Sequence, residues 1–185
     1  MNYKIIDNFL NKEDFYTIKK IFFPENQHQI KLPWHYNYGI VRNPELGPTG
    51  YEEHDWMYSH SFLSDNSKKE SEYINLIQPI FKKLNTSSVI DARANLLVPT
   101  KNHIHHEDHV DRNTFHKVAL FYITKNNGFT VLKNIANINC VENRMVIFDG
   151  SIYHHSVTST DDVRCVININ YIPYLKIKNA NFNYQ

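Results

Sequence analysis

The chain has few cysteines and almost no net charge. Two of its 185 residues are cysteine, Cys140 and Cys165, and they form no Cys-x-x-Cys pair. This argues against a disulfide framework and against a thiolate zinc site, so we expect both residues in the core. Lys and Arg number 20 against 19 Asp and Glu, a formal charge of +1. Such a balance offers no general attraction to nucleic acid or anionic lipid, and it disfavours a nucleic-acid partner.

Long apolar segments are also missing. The first residues, MNYKIIDNFLNKEDF, carry acidic side chains and no apolar run of the kind found in signal peptides. No other stretch is apolar over the length that a bilayer span needs, so we expect a cytoplasmic protein without a membrane partner. The sequence shows no repeat or linker, and its length suits one domain. We predict a single domain over residues 1–175 and a polar, Asn-rich tail over residues 176–185.

Helical patterns come first along the chain and strand patterns follow. After a short strand at 3–6, Asn11 is expected to cap a helix with apolar residues at helical spacing, and a second helix is expected over about 67–84, bent or shortened by Pro79. The aromatic-rich stretch at 51–62 fits either strand or loop. Beyond it, β-branched and aromatic runs predict strands at 89–98, 116–124, 129–132, 144–148 and 163–171. The order predicts an α+β domain whose helices buttress one face of an antiparallel barrel or sandwich.

Eleven histidines stand out in the composition, and several of them cluster. The segment HIHHEDHVD at 103–111 holds four imidazoles and three carboxylates, and it contains two His-x-Asp pairs, His106/Asp108 and His109/Asp111. Two His and one carboxylate on one face of an octahedron, with the other positions open, are the usual ligands of a non-haem Fe(II) that must bind O2. Either pair could supply two of the three ligands, and spacing alone does not choose between them.

The third ligand and an anion partner are expected further along the chain. The segment RMVIFDGSIYHH at 144–155 predicts a buried strand, a turn, and then His154 and His155. Ten residues after His154, Arg164 begins a strand on which Arg164 and Asn168 share one face, because side chains alternate along a strand. An arginine inside a barrel is costly unless it meets an anion, and its two-pronged guanidinium suits a carboxylate.

In this order the motifs resemble those of the 2-oxoglutarate- and Fe(II)-dependent oxygenases, in particular the small prolyl-hydroxylase-like members of phages and marine bacteria. The resemblance covers about residues 89–171. It is carried by His109-Val-Asp111, by HKVALFYITKNNGFT at 116–130, by FDGSIYH at 148–154, and by Arg164 before Asn168. It implies a double-stranded β-helix (a jelly-roll, cupin-like barrel) buttressed by the N-terminal helices.

The resemblance also implies the site residues. It favours His109 over His106 by the interval to the next strand, and His154 over His155 by the interval from Phe148. The implied metal and catalytic residues are therefore His109, Asp111 and His154. The residues that it implies for binding the co-substrate are Arg164, Asn168, Tyr122 and Asn95.

The implied reaction is hydroxylation of a substrate with Fe(II), 2-oxoglutarate and O2, releasing succinate and CO2, with ascorbate as a supporting reductant. The substrate is not identified by the sequence: a prolyl or other protein side chain, a free amino acid, a nucleobase and a small metabolite are the candidates. We expect substrate contacts from about 36–66 and from the loop at 103–107. Two alternatives share parts of the pattern. A cupin-like binding domain would keep the barrel without catalysis, and a zinc hydrolase would use the same ligand types, although the helical His-Glu-x-x-His motif is absent.

Overall fold

Two facing sheets of antiparallel strands form the centre of the described part of the chain, and helices pack outside them. The computed structural model describes residues 2–25, 32–38, 56–64 and 67–174. The elements are β1 (Tyr3–Ile6), α1 (Lys12–Phe22), β2 (His35–Tyr38), β3 (Trp56–Ser64), β4 (Lys68–Lys69), a 3-10 helix (Glu72–Ile77), α2 (Gln78–Leu84), β5 (Thr86–Leu97), β6 (Lys117–Tyr122), β7 (Phe129–Leu132), β8 (Ala136–Asn139), β9 (Arg144–Asp149), β10 (His154–Val157) and β11 (Arg164–Pro173).

The two sheets together form a double-stranded β-helix, which confirms the predicted fold class. The larger sheet has the order β1-β9-β6-β11-β5-β3-β2, with β4 paired to β3, and the smaller sheet has the order β10-β7-β8. Two isolated bridges, His105 to Val157 and His109 to His154, join the histidine segment to the free edge of β10. The histidine segment thus acts as a fourth, irregular strand of the smaller sheet.

Both faces of the larger sheet are buried, and this explains the unbroken apolar run in β6. Val118, Leu120 and Tyr122 point between the sheets, where they pack with residues of the smaller sheet. Ala119 and Phe121 point to the opposite side and pack against the helices. Since alternate side chains of a strand face opposite sides, a strand covered on both faces needs apolar residues at every position.

Helix α1 forms as predicted. The side chain of Asn11 accepts a hydrogen bond from the backbone N–H of Asp14 at 2.9 Å, which satisfies one of the free donors at the helix start. The apolar positions of the helix are buried, and the rings of Phe15 and Phe121 meet edge to face with their centroids 6.2 Å apart. The helix therefore covers the outer face of the larger sheet.

The single helix predicted over 67–84 is wrong in its first half. Residues 68–69 form β4, and the 3-10 helix begins after Ser71, whose hydroxyl accepts from the N–H of Tyr73 at 3.1 Å. Pro79 lies in the first turn of a separate α2. Proline has no N–H to donate and is tolerated in the first turn of a helix, so the chain starts a new helix here instead of bending an existing one.

The other elements are partly confirmed. The five predicted strands appear at β5, β6, β7, β9 and β11, and β3 covers part of the aromatic-rich stretch. The sequence missed β8 and β10, which have four residues each. The predicted tail at 176–185 and much of the predicted substrate region lie outside the described residues. No helix in the described parts of the chain is long and apolar enough to cross a membrane.

Candidate metal and co-substrate site

His109, Asp111 and His154 converge between the two sheets. One ligand atom from each lies within 4.8 Å of the other two, the arrangement that a single metal ion requires. Asp111 Oδ1 lies 3.5 Å from His109 Nε2 and 3.7 Å from His154 Nε2. These three residues are the predicted ligands, and among the described residues they are the group of His, Cys, Asp and Glu side chains close enough to share an ion.

The backbone brings the two imidazoles together. His109 and His154 exchange both of their backbone hydrogen bonds, N to O at 3.1 Å and 2.9 Å, and their ring centroids are 4.7 Å apart. Each Nδ1 lies 3.1 Å from a carbonyl oxygen two residues earlier, that of Glu107 for His109 and that of Ile152 for His154. A carbonyl oxygen only accepts, so each Nδ1 carries a hydrogen and each Nε2 is the nitrogen that faces the metal position.

Asp111 is a carboxylate at neutral pH. Burial by itself would raise the pKa of the Asp111 carboxyl, but the hydrogen bond from His109, the charge on His154 and the bond from Asn168 outweigh it and hold that pKa well below its usual range. Asn168 Nδ2 donates to Oδ2 at 3.0 Å. A metal ion would displace the proton that His109 shares with Asp111, and the triad then offers two neutral nitrogens and one anionic oxygen, ligands that suit Fe(II) and leave other coordination positions open.

Arg164 is buried in the same pocket and has no carboxylate partner among the residues that the structure describes. It is 4% exposed, and its Nε has no hydrogen-bond partner. Its Nη2 donates to Thr130 Oγ1 at 2.7 Å. Gly128 makes room for it, since a Cβ at this position would lie 3.1 Å from Arg164 Cδ and 3.0 Å from the carbonyl oxygen of Val157. A charged donor therefore faces the pocket with part of its hydrogen-bonding capacity unused.

Tyr122 lies behind Arg164 and Thr130 and does not line the pocket. Its hydroxyl lies 2.7 Å from Thr130 Oγ1, and its ring centroid is 5.7 Å from Arg164 Cζ. Burial raises the pKa of the Tyr122 hydroxyl, so it keeps its proton and can donate. Thr130 Oγ1 can accept from both Arg164 and Tyr122 and still donate its own hydrogen into the pocket. Thr130 is therefore a candidate for binding the co-substrate. The sequence motif at 116–130 ends with this residue but gives no indication of its role.

Asn95 lines the pocket, and its buried Oδ1 has no hydrogen-bond partner in the structure. Asn168 also lines the pocket, but its Nδ2 is taken up by Asp111. Both are thus close to the triad. Four apolar residues also line the pocket: Met57, Leu97, Leu120 and Val166.

The alternative ligands are engaged elsewhere. His106 Nδ1 bonds to the carbonyl oxygen of Ser156 at 2.9 Å. Asp108 accepts from Lys133 at 2.8 Å and from His155 Nδ1 at 2.7 Å, and His155 Nε2 lies 3.0 Å from His105 Nδ1. His106, Asp108 and His155 therefore do not share a metal-sized gap with one another.

Several solved structures with a similar fold are named as an oxygenase or as prolyl hydroxylases. No protein-family model matches the chain, and no curated protein matches it significantly in sequence. A 2OG-Fe(II) oxygenase family oxidoreductase from Burkholderia pseudomallei superposes with a TM-score of 0.62 at 10% identity, covering 94% of this chain and 86% of that one. A Trichoplax adhaerens prolyl hydroxylase, solved with a hypoxia inducible factor peptide fragment, gives 0.58 at 13%, covering 92% and 83%.

A Pseudomonas putida prolyl-4-hydroxylase gives a TM-score of 0.56 at 11% identity, covering 94% of this chain and 93% of that one. The matches span nearly the full length of both chains in each case. At such low identity the likeness establishes the architecture. This chain has the double-stranded β-helix fold that these 2-oxoglutarate-dependent oxygenases and prolyl hydroxylases share.

Proposed function

We propose that the protein is an Fe(II)- and 2-oxoglutarate-dependent dioxygenase that hydroxylates a substrate at the mouth of this pocket. The observation that carries the proposal is Arg164, a buried guanidinium without a carboxylate partner among the described residues, in the pocket lined by His109, Asp111 and His154. A metal triad alone is common to many chemistries. A triad that shares its pocket with an unmatched buried cation favours a co-substrate that both chelates metal and carries a second anionic group.

Arg164 indicates the charge of that co-substrate. A buried charge without a partner costs several kcal/mol, and a ligand that brings an anion removes this cost. 2-Oxoglutarate has an oxo acid end that chelates metal and a distant carboxylate. We assign the distant carboxylate to Arg164 and to the hydroxyl of Thr130, and we assign Fe(II) to His109, Asp111 and His154.

When bound, Fe(II) with 2-oxoglutarate and O2 supplies the oxidant, and the balanced products are hydroxylated substrate, succinate and CO2. The protein's own groups position these reactants. The carbonyl oxygens of Glu107 and Ile152 orient the two rings through Nδ1, and Asn168 orients the Asp111 carboxylate. An amino-acid side chain, prolyl or other, is the substrate class that we favour, because two of the structures with the same fold are named as prolyl hydroxylases.

Two other functions use parts of the same site. A zinc hydrolase would use two His and a carboxylate but would leave Arg164 without a ligand. A cupin-like binding domain would bind a metal or a ligand without turnover. Arg164 argues against the first, and only an assay separates the second from an oxygenase.

The test is an anaerobic titration of the metal-free protein, first with Fe(II) and then with 2-oxoglutarate. We expect the weak visible charge-transfer band of the chelate, and on addition of O2 a slow release of succinate that N-oxalylglycine inhibits. Asp108→Asn, which changes a carboxylate near but outside the triad, serves as the control and should behave as the wild type. A band without succinate would favour the binding domain, and the absence of a band would contradict the proposal.

A further inference from the structure

Arg93 is a second arginine at the site, and it lies where two pockets meet. It is on β5, in register with Ser61 of β3 and Asn168 of β11. Its side chain lines the pocket of the triad, and it also lines a neighbouring polar pocket that we call the outer pocket. The polar residues that line the outer pocket on its other sides include Ser61, Ser64, Asp91, Arg112 and Asn170. A ligand in the outer pocket would therefore contact Arg93 and lie beside Asp111, which borders both pockets.

The nearby carboxylates are held by other groups. Asp91 Oδ2 accepts from Arg112 Nε at 2.8 Å, and Asp91 Oδ1 accepts from Asn170 at 3.0 Å. Asp111 is bonded to Asn168 and lies beside the two imidazoles. Arg93 itself makes no ion pair with a described residue, and it is exposed to solvent where it lines the pocket. Its guanidinium is available to a ligand.

The charges of the proposed reactants leave Arg93 unmatched. In the formal sum, the charges of Fe(II) and Arg164 cancel those of the two carboxylates of 2-oxoglutarate and of Asp111, and Arg112 is paired with Asp91. Arg93 then remains as one positive charge at the boundary of the site. The outer pocket is also lined by Asp91, Asp111 and Arg112, and Arg112 is paired with Asp91, so Arg93 is matched better by one carboxylate than by a doubly charged phosphate.

The outer pocket also has unused acceptors. The buried Oδ1 atoms of Asn168 and Asn170 have no hydrogen-bond partner in the structure. A buried acceptor without a partner is costly, and an N–H or hydroxyl of a ligand would satisfy it. The pocket thus combines a guanidinium for a carboxylate with acceptors for hydrogen-bond donors.

We propose that the substrate carries a carboxylate and that Arg93 binds it in the outer pocket. This inference rests on the proposed oxygenase function and specifies its substrate class. The carboxylate could belong to a free amino acid or to an acidic side chain of a peptide. Both present the same group to Arg93.

The experiment measures binding without turnover, on protein loaded with Ni(II) and N-oxalylglycine. Free L-amino acids are titrated beside their amides, and short peptides with Asp or Glu beside the same peptides with Asn or Gln, by calorimetry. We expect at least one acid to bind about tenfold or more tightly than its amide, and the arm in which it appears identifies the source. Arg93→Gln should abolish this preference, and Arg93→Lys should retain part of it.

Lys101→Gln is the control, because it removes the same charge from an exposed residue that lines neither pocket. It should keep the full preference. The proposal is overturned if no acid is preferred over its amide, or if the preference survives in Arg93→Gln. It is also overturned if Arg93→Gln weakens 2-oxoglutarate binding more than about twofold, since Arg93 would then serve the co-substrate. Failure of the oxygenase function itself would appear earlier, as absent binding of N-oxalylglycine to the wild type.

Discussion

Asn168 Nδ2 donates a hydrogen bond to Asp111 Oδ2 at 3.0 Å. The bond ties up one oxygen of the carboxylate, while Oδ1 faces His109 Nε2 and His154 Nε2. Asn168 is on the central strand β11, which pairs with β5 on one side and β6 on the other. Because Asn168 is held on both sides by strand pairing, its hydrogen bond fixes the direction of the Asp111 carboxylate. Removal of a residue that hydrogen-bonds to a metal ligand typically lowers the affinity for the metal.

We predict that Asn168→Ala weakens Fe(II) binding by roughly tenfold to a hundredfold. The affinity of the Fe(II)-saturated protein for 2-oxoglutarate should stay within about twofold, because the bond acts on the metal ligand. Asn170→Ala is the matched control, because Asn170 is also an asparagine on the same face of β11 but donates its hydrogen bond to Asp91. Calorimetry of both ligands decides it. A variant that keeps Fe(II) and loses 2-oxoglutarate would make Asn168 a co-substrate residue, as the sequence resemblance implies.

The second prediction tests the choice between the two His-x-Asp pairs. His109→Ala, Asp111→Ala and His154→Ala should each abolish tight Fe(II) binding. Asp108→Asn should not, because Asp108 already pairs with Lys133 and His155. Metal content after loading and desalting measures this. Metal loss in Asp108→Asn with retention in Asp111→Ala would move the site to the other pair.

Local features of the fold could be predicted from the sequence. The side chain of Asn11 and the helical spacing after it predict α1, and the apolar run at 116–124 predicts the strand β6. The short strands β8 and β10 could not be recognised, because four residues carry too little periodicity and β10 reads as HHSV. Their stability comes from pairing with β7, a contact with residues distant in sequence.

The site was only partly predictable for a related reason. Spacing identifies two His-x-Asp pairs, but the bridge between His109 and His154 that brings His109 beside its partner is a long-range contact. Strand periodicity places Arg164 and Asn168 on the same face, which the structure agrees with. It does not say which group each side chain bonds. That Asn168 reaches Asp111 and that Tyr122 lies behind Thr130 depends on side-chain torsions and on packing across three strands.

The third prediction concerns the hydroxyl of Thr130, which contacts Arg164, and the hydroxyl of Tyr122, which contacts Thr130. Thr130→Val removes the acceptor of Arg164 Nη2 and a donor to the co-substrate, so we expect 2-oxoglutarate affinity to fall by about tenfold to a hundredfold, at about 1 kcal/mol or more per lost bond. Tyr122→Phe removes only the bond to Thr130 and should cost about tenfold or less. Tyr153→Phe changes an exposed tyrosine and is the control. Equal effects of Tyr122→Phe and Thr130→Val would contradict this order of contacts.

The fourth prediction is a loss of stability in mild acid that depends on His106. Burial, together with the charge of Arg164 and against the bond to the Ser156 carbonyl, lowers the pKa of His106 from 6.5 to about 4. In the unfolded chain His106 therefore binds a proton below pH 6.5, whereas in the folded protein it stays neutral until about pH 4. The contribution of His106 to the free energy of unfolding is fully present above pH 6.5. It falls by about 3 kcal/mol as the pH drops toward 4.

Urea unfolding of the metal-free protein between pH 7 and pH 4.5 measures this loss. His106→Asn places a non-titrating amide where Nδ1 donates to the Ser156 carbonyl oxygen, so it should show a shallower pH dependence than the wild type. The same slope in both proteins would assign the acid sensitivity to the other histidines.

The last prediction concerns Arg164. A buried cation without a carboxylate partner in the described residues should destabilise the free protein and strengthen the binding of 2-oxoglutarate. Arg164→Met keeps much of the side-chain volume and removes the charge. Replacing buried charges with apolar groups of similar size is often neutral or stabilising by about 1–4 kcal/mol, so the metal-free variant should be at least as stable as the wild type.

The same substitution should weaken 2-oxoglutarate by about 2–5 kcal/mol, or roughly thirtyfold to several thousandfold, since the distant carboxylate would be buried without its partner. Arg164→Lys should recover only part of the affinity, because one ammonium cannot make the two-pronged contact. Fe(II) affinity in the absence of co-substrate should barely change. Thermal unfolding and calorimetry on the same three proteins give both quantities. If Arg164→Met destabilises the free protein by several kcal/mol and leaves 2-oxoglutarate binding intact, Arg164 is a structural residue and the oxygenase proposal loses its main support.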